Sequence, residues 1–286
     1  MQFSSSSAIT PDGVDLHVRE FQPLAFDSAD GRTLVIVHGA SEHGERYVHV
    51  AKFFVDRGWR VIVGDQRGHG LSGGVPMYVD RFDRYLADLD ILWDNFGLDD
   101  QRTALMGHSF GSLVSIRFAQ TRPDKMSALV PLAPLLGLRV QIPRSTLALG
   151  KLMSFVAPKT RFTTKVNPEH TTRSREILEQ RASDPLIHRR ITARWFFQMK
   201  AALKRSWEDA GQLKMPVFIL QGSADQIVDP LAVEPWFENV ASDDKLLRMF
   251  PAHYHELHNE PTKFDILNIV ADWLDERVGT ADALRN

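Results

Sequence analysis

The chain contains no cysteine. That excludes disulfides, thiolate metal sites and a cysteine nucleophile. It leaves the compartment open, with a cytoplasmic protein as the simpler expectation. No stretch supplies the roughly 18 uninterrupted apolar residues of a membrane-spanning helix. The start, Met1-Gln2-Phe3 followed by a serine run, lacks the basic residues and apolar block of a secretory signal. With a net charge of -2 and no concentrated basic face, a nucleic-acid partner is not expected. The zinc-protease pattern His-Glu-x-x-His is also missing: His255-Glu256-Leu257-His258 is one residue short. Neither a metal nor another cofactor is expected.

What is present is ordinary for a soluble globular protein. Of 286 residues, 43% are hydrophobic and 24% charged. That length accommodates one large α/β domain, or such a domain with an insertion. Val14 to Arg19 alternates apolar and polar residues, as a half-buried strand does. Thr33–Val37, Val61–Val63, Thr103–Met106, Ala128–Leu132, Val217–Leu220 and Leu246–Phe250 read as further strands. Helical spacing marks Arg46–Arg57, Phe82–Phe96, Phe110–Gln120, Pro230–Val240 and Thr262–Arg277. Such alternation predicts a mostly parallel sheet with helices on both faces.

The alternation stops from about Arg139 to Lys214, where no buried strand is legible. Two apolar stripes stand out instead, Leu147 to Val156 and Trp195 to Trp207. We expect residues 1–138 and 215–286 to form the α/β core, and residues 139–214 a helical cap inserted between two strands. Most of the apolar cap residues should pack; a few should line a pocket for a greasy substrate or touch a membrane. Lys and Arg gather in the same region. This reads as a solvated helical surface that could also meet anionic lipid.

Gly107-His108-Ser109-Phe110-Gly111 fits Gly-x-Ser-x-Gly. The pattern alone is weak, but here it follows a predicted strand and opens a predicted helix. Glycines permit a tight turn that pushes the serine outward, above a helix N-terminus that favours negative charge. A serine hydroxyl needs a base, and the base needs an orienting acid. In this arrangement the chain order is serine, acid, histidine. No Asp or Glu lies between Lys125 and Asn167, so the strand Ala128–Leu132 cannot supply the acid. The next strand runs into Asp225. Asp229 competes, but it precedes Pro230 at a helix start, which is N-cap chemistry. Three histidines follow Asp225, namely His253, His255 and His258, all after the last strand. Two backbone N–H groups should meet the developing oxyanion. One is Phe110; the other is Ala40, in the loop His38-Gly39-Ala40-Ser41-Glu42-His43.

Three blocks resemble the monoacylglycerol lipase and lysophospholipase branch of the α/β-hydrolases. They are His38 to Tyr47, Asp65-Gln66-Arg67-Gly68-His69-Gly70-Leu71-Ser72-Gly73-Gly74, and Tyr254 to Pro261. The similarity spans roughly residues 12 to 278. It is weakest in the cap, where Asp184-Pro185-Leu186 looks like a recurring element. The resemblance implies His255 as the base of a triad with Ser109 and Asp225. It further implies hydrolysis of a lipid-like ester with a medium or long acyl chain, without cofactor. It places Glu42, Arg46 and His258 at the polar end of the substrate. Each also has a structural reading: Arg46 pairing with a carboxylate, Glu42 holding the oxyanion loop. The second block, His69 included, is expected to order loops. Phe110 departs from the family pattern, in which Met or another unbranched residue is common; its ring could narrow the acyl entrance.

Overall fold

The computed structural model describes residues 1–24, 31–139, 142–164 and 166–279. Residues 25–30 and 280–286 of the expected core, and 140, 141 and 165 of the expected cap, lie outside that set. The strands are β1 (Gln2–Ile9), β2 (Asp15–Gln22), β3 (Thr33–Val37), β4 (Arg60–Gly64), β5 (Thr103–His108), β6 (Ala128–Leu132), β7 (Arg161–Thr163), β8 (Arg190–Thr192), β9 (Val217–Gly222) and β10 (Lys245–Phe250). The helices are α1 (Val48–Val55), α2 (Asp83–Asn95), α3 (Phe110–Thr121), α4 (Arg144–Val156), α5 (Arg175–Ser183), α6 (Ala193–Glu208), α7 (Val233–Glu238) and α8 (Lys263–Asp275).

Eight strands form one sheet in the order β1-β2-β4-β3-β5-β6-β9-β10. β1 and β2 are antiparallel to their neighbours, and the other six run parallel. The interior strands β3, β5, β6 and β9 are buried along their whole length because helices cover both faces, whereas the edge strand β10 stays largely exposed. Alternate side chains divide between two layers. Val35, Val37, Leu105 and Leu129 face Leu86, Leu89, Leu113 and Ile116 of α2 and α3. Leu34, Ile36, Met106 and Val130 face Val50 and Phe54 of α1 and Leu267 and Val270 of α8. At about 1.5–3 kcal/mol for each fully buried large aliphatic side chain, these layers hold the sheet. The ends of β3, β5, β9 and β10 carry the loops of interest to one rim.

Between β6 and β9 the chain adds no strand to this sheet among the described residues. α4, α5 and α6 lie there, with β7 and β8 paired as a separate two-stranded ribbon. The two expected apolar stripes are α4 and α6. The ribbon and α5 were not legible: β7 is wholly exposed and α5 has no buried residue. β1 escaped for the same reason. Its serines carry no apolar alternation, and its pairing with β2 is tertiary.

Candidate active site

β5 runs straight into α3, and Ser109 makes the turn with φ 54° and ψ -115°. A left-handed φ at a non-glycine residue is strained and must be held by its surroundings. Here Ser109 N donates to Leu132 O at 3.0 Å, and Ser109 O accepts from Leu135 N at 3.3 Å. A Cβ on Gly107 would lie 2.5 Å from Gly111 O, so the turn closes only with glycine. A Cβ on Gly111 would lie 2.1 Å from Val37 O and 2.4 Å from His38 O. The first turn of α3 is therefore pressed against the end of β3, where the loop with Ala40 begins. Phe110 thus sits beside that loop. Its ring is fully buried against Phe82, Tyr85 and Trp195, with centroids 6.0, 5.2 and 4.9 Å away. It fills the interior beneath the turn instead of facing an open entrance.

Asp225 follows β9 and is fully buried. Its Oδ1 accepts from Ile227 N (2.8 Å) and Val228 N (3.1 Å), and its Oδ2 from Gln221 Nε2 (3.1 Å) and His255 Nδ1 (2.7 Å). Burial pushes the carboxyl pKa up, but His255 and the remaining donors outweigh it, and the pKa lies below the ordinary value. Burial likewise lowers the His255 pKa, and Asp225 reverses the effect, raising it above that of a free imidazole. With Nδ1–H given to Asp225, Nε2 is left as the basic nitrogen. Gly222 brings the two loops together, since a Cβ there would lie 2.4 Å from Tyr254 O.

The competing residues lie elsewhere. Asp229 accepts from Leu231 N at 3.1 Å and caps a short 3-10 turn beginning at Pro230. His253 donates Nδ1–H to Pro251 O and accepts from the Thr262 hydroxyl, both at 2.8 Å. His258 is fully buried and stacks on Tyr47 at 4.5 Å; burial drives its pKa well below the ordinary value, so it is neutral.

Glu42, Arg46 and His258 do come together, in a buried network under the loop that carries Ala40. Glu42 Oε1 accepts from Gly39 N (2.6 Å) and from the Tyr47 hydroxyl (2.8 Å), while Oε2 pairs with Arg46. Arg46 Nη2 also donates to Glu256 Oε2 at 2.7 Å, and Arg181 of α5 reaches Glu256 Oε1 at 3.4 Å. Burial raises the Glu42 pKa, but Arg46 and the neighbouring histidines overcome it and keep the carboxylate ionised. The structure thus shows the carboxylate pairing and the loop support that the sequence left open beside a substrate role.

Sequence reading missed His108. This buried residue precedes Ser109, and its two ring nitrogens face Glu42 Oε1 at 3.2 Å and the His255 carbonyl at 3.3 Å. Its ring packs on that of His255 at 4.8 Å. It joins the serine turn to both neighbouring loops; its only signal was its place inside Gly-x-Ser-x-Gly. The second block behaves as expected. Asp65 accepts from Gly44 N (2.6 Å), Arg19 Nη1 (2.9 Å) and Leu71 N (2.9 Å). His69 is buried, and burial pushes its pKa down to about 3, so it holds its loop as a neutral ring.

The sheet order, the strained serine turn and the loops at one rim define an α/β-hydrolase. The profile of the family described as "Serine aminopeptidase, S33" matches residues 29–262, and the chain belongs to that family. It is similar to the monoglyceride lipase of Mus musculus, with 31% identity over 283 residues, covering 96% of this chain and 91% of that protein. Phospholipase YtpA of Bacillus subtilis is 28% identical over 86% of this chain and 95% of its own length. The crystal structure of Paleococcus ferrophilus monoacylglycerol lipase superposes with a TM-score of 0.84 at 27% identity, covering 91% of this chain and 98% of that one.

Proposed function

We propose that this chain is a serine ester hydrolase that cleaves a monoacylglycerol to fatty acid and glycerol through an acyl-enzyme. The observation that carries the reading is the buried His255–Asp225 pair, whose imidazole packs on His108 next to the strained turn at Ser109. His255 takes the proton from Ser109 as the hydroxyl attacks the ester carbonyl. The N–H groups of Ala40 and Phe110 stabilise the oxyanion. His255 then protonates the leaving alcohol, and water activated by the same ring releases the acid. No step calls for a metal or cofactor.

Residues 139–214 act in this reading as a cap over the rim. Leu138, Ile142, Leu147, Phe196 and Leu203, with Lys200, line a mainly apolar cleft of about 250 Å³ between α4 and α6, suited to an acyl chain. The outer face of α4 is greasy and cationic. Leu149, Leu152, Phe155 and Val156 are exposed there, beside exposed Arg144, Lys151, Lys159 and Arg161. No acidic residue lies between Lys125 and Glu169. Such a helix rests on the surface of an anionic membrane; among the described residues, no helix is long and apolar enough to cross one. In this reading the protein works peripherally at a membrane. The relative named as a phospholipase favours a second reading, a lysophospholipid substrate on the same triad.

Turnover of monoacylglycerol, diacylglycerol, lysophospholipid, thioester and aminoacyl amide substrates tests the reaction. Monoacylglycerol should be turned over fastest, and Ser109→Ala should abolish its hydrolysis and block labelling by a fluorophosphonate. Preference for the amide would transfer the assignment to peptide chemistry. An unlabelled, inactive wild-type protein would make the chain a ligand-binding homologue.

A further inference from the structure

The cap is tied to the core very unevenly. α4 packs chiefly on α6, whereas residues 171–192 are stitched to the rim loops. Glu256 N donates to Thr171 O at 2.7 Å, Thr172 Oγ1 to Asn259 O at 2.9 Å, and Arg173 Nε to Glu260 Oε2 at 2.5 Å. On the other side, His188 N donates to Ser41 O at 3.0 Å and Thr192 Oγ1 to Met77 O at 2.6 Å. The centre of this strap is Asp184-Pro185-Leu186. Leu186 N donates to Asp184 Oδ1 at 2.8 Å, which turns Oδ2 toward the core. There it accepts from His43 Nε2 at 2.7 Å. The His43 side chain is 3% exposed and that of Asp184 20%.

The loop from Gly39 to Gly44 is short and strained, with Ser41 at φ 65°. It is held at Gly39 N by Glu42, at Ser41 O by His188, at the His43 ring by Asp184, and at Gly44 N by Asp65. Ala40 lies within this frame. Two of these fastenings come from the strap; the core adds His38 Nδ1 at Gly39 O (2.7 Å) and Met77 Sδ at the Ser41 hydroxyl (3.7 Å).

We infer that Asp184 is a positioning residue: through His43 it fixes the loop that aims the Ala40 N–H at the oxyanion, so the strap is part of the oxyanion hole. The inference rests on the oxyanion role proposed for Ala40. A backbone donor must meet the oxyanion at about 2.7–3.1 Å, and displacement of about 1 Å costs roughly 100-fold in rate. The oxyanion develops only as the carbonyl is attacked, so a misplaced donor costs the transition state and not substrate binding.

The test uses the full-length protein and a short, soluble ester. Asp184→Ala and His43→Ala should each lower kcat about 10- to 100-fold with KM changed less than about threefold. The double variant should be no worse than either single one, because both remove one contact. His43→Gln, whose amide can still donate to Asp184, should recover most of the rate. Inhibition by a trifluoromethyl ketone, whose hemiketal oxygen needs the same donors, should weaken in step with kcat/KM. Arg175→Ala, which removes an exposed cap ion pair with Glu169, should behave as wild type. The inference fails if Asp184→Ala keeps kcat within twofold, if the two losses multiply, if ketone affinity is unchanged, or if Arg175→Ala is equally impaired. Full activity of Ser109→Ala would instead overturn the active-site reading, and this inference with it.

Discussion

Asp225→Asn tests the proton path most directly. The substitution keeps the size of the side chain and most of its contacts. The amide oxygen can still accept from Ile227 N and Val228 N, as Oδ1 does now. The amide NH2 then faces His255 Nδ1, which gives its proton to Oδ2 at 2.7 Å in the native protein. A donor there favours the tautomer with Nδ1 bare and Nε2 protonated. That ring cannot accept the serine proton. Loss of this tautomer in a Ser-His-Asp site costs on the order of 10⁴ in kcat, about 5 kcal/mol. The pH profile carries a second signature. His255 acts as a base only when neutral, and Asp225 raises its pKa above the ordinary value. Wild-type kcat/KM should therefore fall as pH drops through a value above 6.5. Without the carboxylate the charged ring loses its partner, so this acid limb should move to lower pH. Stopped-flow hydrolysis of a p-nitrophenyl ester from pH 5 to 9 reads both effects, with circular dichroism to verify the fold. Activity within tenfold of wild type and an unmoved acid limb would refute the reasoning. A large loss in Asp229→Asn instead would hand the role to that residue.

Two further outcomes follow from the buried network and from the cap. Arg46→Met leaves Glu42 and Glu256 buried without their shared cation, and should destabilise the fold by about 3–5 kcal/mol in urea denaturation; a change confined to KM would restore a substrate-binding role. Phe155→Ser on the outer face of α4 should weaken sedimentation with phosphatidylglycerol vesicles at least fivefold, leaving hydrolysis of a soluble ester unchanged; equal binding by variant and wild type would remove α4 as the membrane contact.

The fold was legible because its signals are strong and local. β3, β5 and β9 are unbroken apolar runs, and each ends in glycine or a polar turn. The serine turn was equally readable, since glycines flank it and a strand and helix bracket it. The base was not: spacing alone could not separate His253, His255 and His258. In three dimensions one ring meets Asp225, and the others meet Thr262 and Tyr47. What stayed hidden was set by partners distant along the chain. Glu256 looked like part of a histidine-rich loop, yet it completes a buried ion network with Arg46 and Arg181. β1, β7, β8 and α5 bury too little of themselves to leave a hydrophobic period.

Among the described residues, four of the five non-glycine residues with left-handed φ follow strand ends: Ser41 after β3, Ser109 after β5, Ala133 after β6 and Ala252 after β10. Each departure of this kind costs on the order of 1–3 kcal/mol. Thermal hardening of this molecule therefore has its largest reserve at the rim, where glycine would relax the chain. The fifth, Met77, is buried in the apolar layer that α2 and α3 cover. On the proposed active site, any gain at the rim is drawn from the turns that carry it, so heat resistance and speed oppose each other there.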